Sequence, residues 1–143
     1  MANDEISDIG NSIEVGDNKA PLFGTLIQDI KAGSLVHIDS SKNIRKASTS
    51  YRAAGVLNKH YNVDLDTAIS SGYQGNIITE GYVNMFCDDP GEDKEISEPI
   101  YDKPANAGIA PWSAGSATGQ TFARIVYRVP NGDSVCRARI DRG

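Results

Sequence analysis

The sequence has 143 residues, a formal net charge of −5, and 39% apolar and 23% charged residues. That length fits one domain able to bury roughly two thirds of the surface its unfolded chain would expose, and the composition is that of a folding chain rather than a disordered one. The acidic balance argues against a nucleic-acid partner, because binding by phosphate neutralisation needs a clustered basic face.

Residues 1–21 stand apart: they are acidic, hold one lysine and no aromatic residue, and carry isolated Ile6, Ile9, Ile13 and Val15. The 3, 4 spacing of the isoleucines fits one or two helical turns, but Gly10, Gly16 and the asparagines weaken any isolated helix. This segment reads as an extended arm that orders against a partner, leaving 22–143 as a β domain. Its amino terminus has neither the cationic stretch nor the apolar core of a secretory signal, and no apolar run approaches the ~18 residues of a membrane span. The expectation is a protein made in a cytoplasm, with no membrane partner.

Pro21–Ile27 is the first strong strand segment. Ala32–Leu57 then reads as strand, turn, strand, loop, strand: Leu35, Val36 and Ile38, a polar break from Asp39 to Asn43, Ile44 and Ala47, and Ala54–Leu57. A second unit repeats this pattern near the end, with Ile100, Tyr101, Ile109, Trp112 and Ile125 standing where the first has Leu35, Val36, Ile44, Ala47 and Val56. Leu35 to Ile44 and Ile100 to Ile109 are both nine residues; the closing intervals are 12 and 16, the difference of four falling at the loop Gly115–Gly119.

Between the two units, the loop from Asn58 to Gln74 has room for one or two helical turns over Asp64–Ser71 and belongs on an outer rim. Gly75–Phe86 gives two short strands divided at Gly81. An acidic loop follows from Asp88 to Glu98. The last element is a hairpin, Phe122–Val129 and Ser134–Ile140 around Asn131-Gly132, with Ala123, Ile125, Tyr127 and Val129 on an apolar face and Arg124, Val126 and Arg128 on a basic one. The expected core is Leu35, Val36, Ile38, Ile44, Val56, Ile77, Val83, Ile100, Ile109, Ile125 and Tyr127. The fold class is all-β: a small compact barrel or sandwich-like domain with an extended N-terminal arm.

No catalytic constellation emerges. GxSxG, GxxxxGK and GxGxxG are missing, and Gly115–Gly119 has no helix behind it to hold an anion. His37 and His60 lie 23 residues apart, outside any metal-ligand spacing, and Cys87 and Cys136 lie 49 apart, outside any CxxC, as two free thiols. Asp88, Asp89, Glu92 and Asp93 are the one dense carboxylate group, read as a solvated turn, with a loose calcium site or a subunit contact as the alternatives. No enzyme activity, cofactor, metal or small-molecule substrate is therefore expected. Arg124, Arg128, Arg137, Arg139 and Arg142 form the most one-sided charge feature; those on paired strands should share a face suited to acidic surface, such as the 88–93 loop of an adjacent copy.

The order AGSLVHID, NIRKAS, RAAGVL, QGNIITEGYVNMF, EPIYDKPANAGIAPW, FARIVY resembles tailed-phage head decoration proteins, also called capsid cement proteins, over roughly residues 22–140. That resemblance implies a non-enzymatic compact β domain on the outer face of an icosahedral shell. It implies a dimer or trimer partnered by the major capsid protein, with the arm joining a capsid-protein sheet. The interface residues expected are Ile6, Ile9, Ile13 and Val15 of the arm and Arg124, Arg128, Arg137 and Arg139 of the hairpin. A β-rich module of a fibre or tail structure is the alternative, and a ligand-binding barrel a more distant one.

Overall fold

A computed structural model describes residues 14–15, 22–114 and 119–140. Among these residues there are ten strands: β1 (Glu14–Val15), β2 (Leu22–Leu26), β3 (Leu35–Ile38), β4 (Asn43–Lys46), β5 (Gly55–Leu57), β6 (Gln74–Ile78), β7 (Gly81–Phe86), β8 (Pro99–Tyr101), β9 (Thr121–Ile125) and β10 (Val135–Ile140). There is no helix among the described residues. The all-β expectation holds.

Strands β2 to β6 close a five-stranded barrel in the order β2-β4-β3-β5-β6, and the remaining strands form a sheet in the order β1-β7-β10-β9-β8. The pairings are antiparallel except β2 with β4. The β3–β4 turn is set by Asp39, whose Oδ1 accepts from Ser41 N (2.9 Å) and Asn43 N (3.0 Å), while Lys42 takes a left-handed φ of 67°. The Asn43 amide holds the Asp39 carboxyl below its ordinary value. The Asp39 charge therefore favours the folded turn at neutral pH and loses that effect as pH falls through its depressed value.

The chain passes from barrel to sheet at Gly81, whose φ of 93° suits a residue without Cβ. Backbone bonds then tie the two units together: Phe86 N to Gly33 O, Leu35 N to Gly108 O, and Ala53 N to Asp102 O. One continuous apolar cluster fills both units, with Leu26, Ile44, Leu57 and Ile77 from the barrel and Val83, Met85, Phe122, Ile125 and Ala138 from the sheet.

The 109–112 and 64–71 segments, the Asn131-Gly132 turn and Tyr127 differ from the sequence reading. Residues 109–112 form no strand; Ala110 makes a single bridge to Cys87, so the second unit reproduces only the outer parts of the first. The loop 115–118 lies outside the described residues. The 64–71 segment makes isolated turns, such as Thr67 N to Asp64 O, instead of helix, although Ile69 is fully buried through its bridge to Ile30. The Asn131-Gly132 turn does not close a tight hairpin: β9 and β10 pair through Ala123↔Ile140 to Ile125↔Ala138, after which the chain bends away and Val129 bridges to Lys94. That bend leaves Tyr127 59% exposed instead of in the core, with Arg137 over its ring at 5.0 Å. Ile38 and Ile109 are partly buried, and the other eight expected core residues are buried.

Ile125 is 1% exposed within the apolar cluster. Ile125→Ala is expected to cost ~2–5 kcal/mol, read as a lowered denaturation midpoint. A midpoint unchanged from the parent would mean that β9 turns its other face inward.

Candidate interaction surfaces

Register places the hairpin arginines. Arg124 lies directly opposite Arg139, and Arg139 directly opposite Tyr82, while Tyr82 pairs with Val15 and Arg124 with Pro99. Directly opposed residues share a face, so one row runs from Tyr82 through Arg139 and Arg124 to Pro99 across four strands. Arg137, two residues from Arg139, adds to the same face; its Nε donates to Asn84 Oδ1 at 2.8 Å. Arg124 donates to Ser97 O at 3.0 Å, whereas no ion pair of Arg139 is seen among the described residues. Two arginines in direct opposition repel, and an anionic partner would relieve that repulsion.

Arg128 does not join this row. Beyond the end of β9 it pairs with Asp93 and, at 3.3 Å, with Glu95 of its own chain. The acidic loop is occupied in the same way: Asp89 Oδ1 accepts from Gly91 N and Gly132 N, each at 3.0 Å, and Asp93 Oδ1 accepts from Asn131 N at 2.9 Å. These carboxylates staple the loop to the 130–132 turn. Burial raises the Asp88 carboxyl, partly offset by a hydrogen bond from Asn106. Among the described residues no cluster of His, Cys, Asp or Glu is arranged to hold a metal ion.

Of the arm residues, Val15 lies in β1, which covers Tyr82 and Val83 on the β7 edge; Ile6, Ile9 and Ile13 lie outside the described residues, as does Arg142. His37 Nδ1 lies 2.9 Å from the Arg52 carbonyl, a bond that holds the loop before β5. Cys87 and Cys136 are both buried and not joined in a disulfide, and a hydrogen bond between them, with burial, pushes the Cys87 thiol up, so it stays protonated and inert.

One surface went unread in the sequence. The 58–73 loop folds back over the β2–β6 pair, so His60 and Tyr61 stand with Phe23 around a cleft of about 240 Å³, and Tyr73, outside the lining, packs its ring against His60 with centroids 5.1 Å apart. Tyr61 is 87% exposed and stacks on His60 with ring centroids 5.0 Å apart. The visible signal was three rings, at 60, 61 and 73, within one loop.

No family model matches the sequence, and no curated protein matches it. The structure does have likenesses. It is similar to a chain in the capsid of Myoviridae phage XM1, with TM-score 0.60, 13% identity, and 91% of this chain and 92% of that one covered. It is also similar to the head fibre gp8.5 N base of bacteriophage phi29, with TM-score 0.51, 14% identity, and 87% and 95% covered. At such identities the likeness shows a shared fold: a barrel and sheet of this kind are also found in a phage capsid chain and in a head fibre base.

Proposed function

We propose that this chain is a structural virion protein that binds the outer surface of an icosahedral phage capsid and stabilises it, as decoration or cement proteins do. The observation that carries this reading is the likeness to a chain of the XM1 capsid over nearly the whole of both chains. Supporting it are two directly opposed arginines, Arg124 and Arg139, on one face of the sheet. In this reading residues 1–21 are an arm and 22–143 the attached β domain. The partners are the major capsid protein and further copies of the chain, as a dimer or trimer, and no reaction is catalysed.

The arm would add to a capsid-protein edge strand by backbone pairing while Ile6, Ile9 and Ile13 bury against the shell. Ordering it costs free energy, so single contacts are weak and two or three linked copies make attachment firm. A head-fibre base is the second reading, favoured by the phi29 likeness; it places the same domain at the root of a projecting fibre.

The test is binding to capsid shells that lack the protein. The full chain should saturate them and raise their rupture temperature, whereas a chain lacking residues 2–20 should neither bind nor protect. Because that deletion also removes β1, Ile6→Asp with Ile9→Asp and Ile13→Asp in the otherwise intact chain serves as the companion. Undiminished binding by both variants would sink the arm's role and turn attention to Arg124→Glu with Arg139→Glu. Failure of the full chain to bind any shell would sink the capsid reading itself.

A further inference from the structure

We infer that the cleft between β2, β6 and the 58–73 loop is a binding site for a neutral pyranose ring, as in a glycan. Its walls are aromatic. Phe23 is 59% exposed, and Tyr61, stacked on His60, stands almost wholly in solvent. Two such exposed rings lining one small cleft are costly to leave in water unless something covers them.

Between the rings the polar groups are left with capacity to spare. Asn58 uses its Oδ1 on Lys59 N at 2.8 Å, which leaves the Asn58 amide Nδ2 to donate. His60 Nδ1 accepts from Asn62 N at 3.2 Å, so in the neutral ring the proton sits on Nε2. Asn76, directly opposite Phe23 across the β2–β6 pair, has a buried Oδ1 with no hydrogen-bond partner. An unmet buried acceptor costs about 1–3 kcal/mol, and a bound hydroxyl would remove that cost. Rotation about χ2, which is soft for asparagine, turns the amide towards the cleft.

Aromatic faces flanked by amide donors and acceptors match a sugar ring, whose C–H faces pack on π-systems while its equatorial hydroxyls both donate and accept. Lys59 is the one cation among the lining residues. A phosphate-bearing ligand would call for more positive charge. The narrowness of the cleft, about 240 Å³, favours a single ring over a protein side of ordinary interface size.

Amide-resolved NMR titration of the whole chain decides the matter, with N-acetylglucosamine, methyl glucoside and methyl galactoside as free sugars and a bacterial O-chain polysaccharide as the polymer. Saturable shifts should appear at Phe23, Asn58–Tyr61 and Gln74–Asn76. Tyr61→Ala should weaken binding by roughly tenfold or more, and Tyr61→Phe should retain it, since the ring and not the hydroxyl makes the contact. Because Tyr61 lies in solvent, its truncation leaves the fold intact as a control. Shifts with the free sugars would identify a site for single rings, and shifts with the polymer alone a site for an extended chain. If no probe moves these residues, or if they move with protein concentration in the absence of sugar, the site is not a glycan site and the rings serve self-association.

Discussion

Gly55→Ala should unseat the barrel. A Cβ at this position would meet the Ile78 carbonyl oxygen well inside contact distance and Ile77 Cγ2 at 2.5 Å. The first of these is backbone, which has nowhere to turn. Gly55 pairs with Val36 on one side and immediately precedes the Val56↔Ile78 pair on the other, so the strain falls on the seam between β5 and β6. Forcing side-chain volume into such a place typically costs 1–3 kcal/mol, and with backbone as the obstacle the upper end, about 3 kcal/mol or more, is expected. That corresponds to a fall in Tm of roughly ten degrees, measured by circular dichroism. Gly72→Ala is the control: nothing lies within 4 Å of its would-be Cβ, so only the strain of its φ of 93° remains, about 1 kcal/mol. Equal behaviour of the two variants would refute the steric account of the seam.

Asp102→Ala is expected to loosen the junction between barrel and sheet. Asp102 is 2% exposed; its Oδ1 accepts from Gln120 N at 2.8 Å, its Oδ2 lies 3.1 Å from Arg52 Nε, and its carbonyl accepts from Ala53 N at 2.9 Å. One residue thus holds the approach to β5, the end of β8 and the approach to β9. Breaking a fully buried ion pair costs 3–5 kcal/mol, but the Arg52 side chain is 38% exposed and water can take over its charge. About 2–3 kcal/mol is the expected loss in urea unfolding. Asp102→Asn keeps an acceptor for Gln120 N and should recover about half of it. If the alanine variant is as stable as the parent, the junction is held by packing alone.

What could be read without the structure follows from how local each signal is. Leu35, Val36, Ile44 and Val56 sit in short apolar segments bounded by glycine and polar turns, so their strands and their burial were legible. Tyr127 was not, because period-2 alternation assumes a straight strand, and Ser97 and Glu98 take the β9 edge at Ile125 just before the chain bends. The repeat of Ile109 and Trp112 on Ile44 and Ala47 was a likeness of composition; Pro111 beside them cannot donate to a ladder. That Arg124, Arg137 and Arg139 share a face was legible, because each belongs to a paired strand. Arg128 was drawn to Asp93, thirty-five residues earlier in the chain, and no spacing rule reports a contact made by a loop. The aromatic cleft was hidden for the same reason: it exists only once the 58–73 loop has folded back.

The placement of the strands along the chain also sets a timetable. All five barrel strands fall within residues 22–78, so that unit can close as soon as this stretch has left the ribosome. The sheet cannot, because its middle strand, β10, is the last of the ten to be made, and β7 and β9 have no common neighbour until it arrives. Such closures between distant segments are slow. β7 therefore waits through the synthesis of more than fifty residues with the edge meant for β10 open, next to a finished barrel. β1 precedes the barrel in synthesis and yet can only be seated after β7 exists, so a segment made early is placed late.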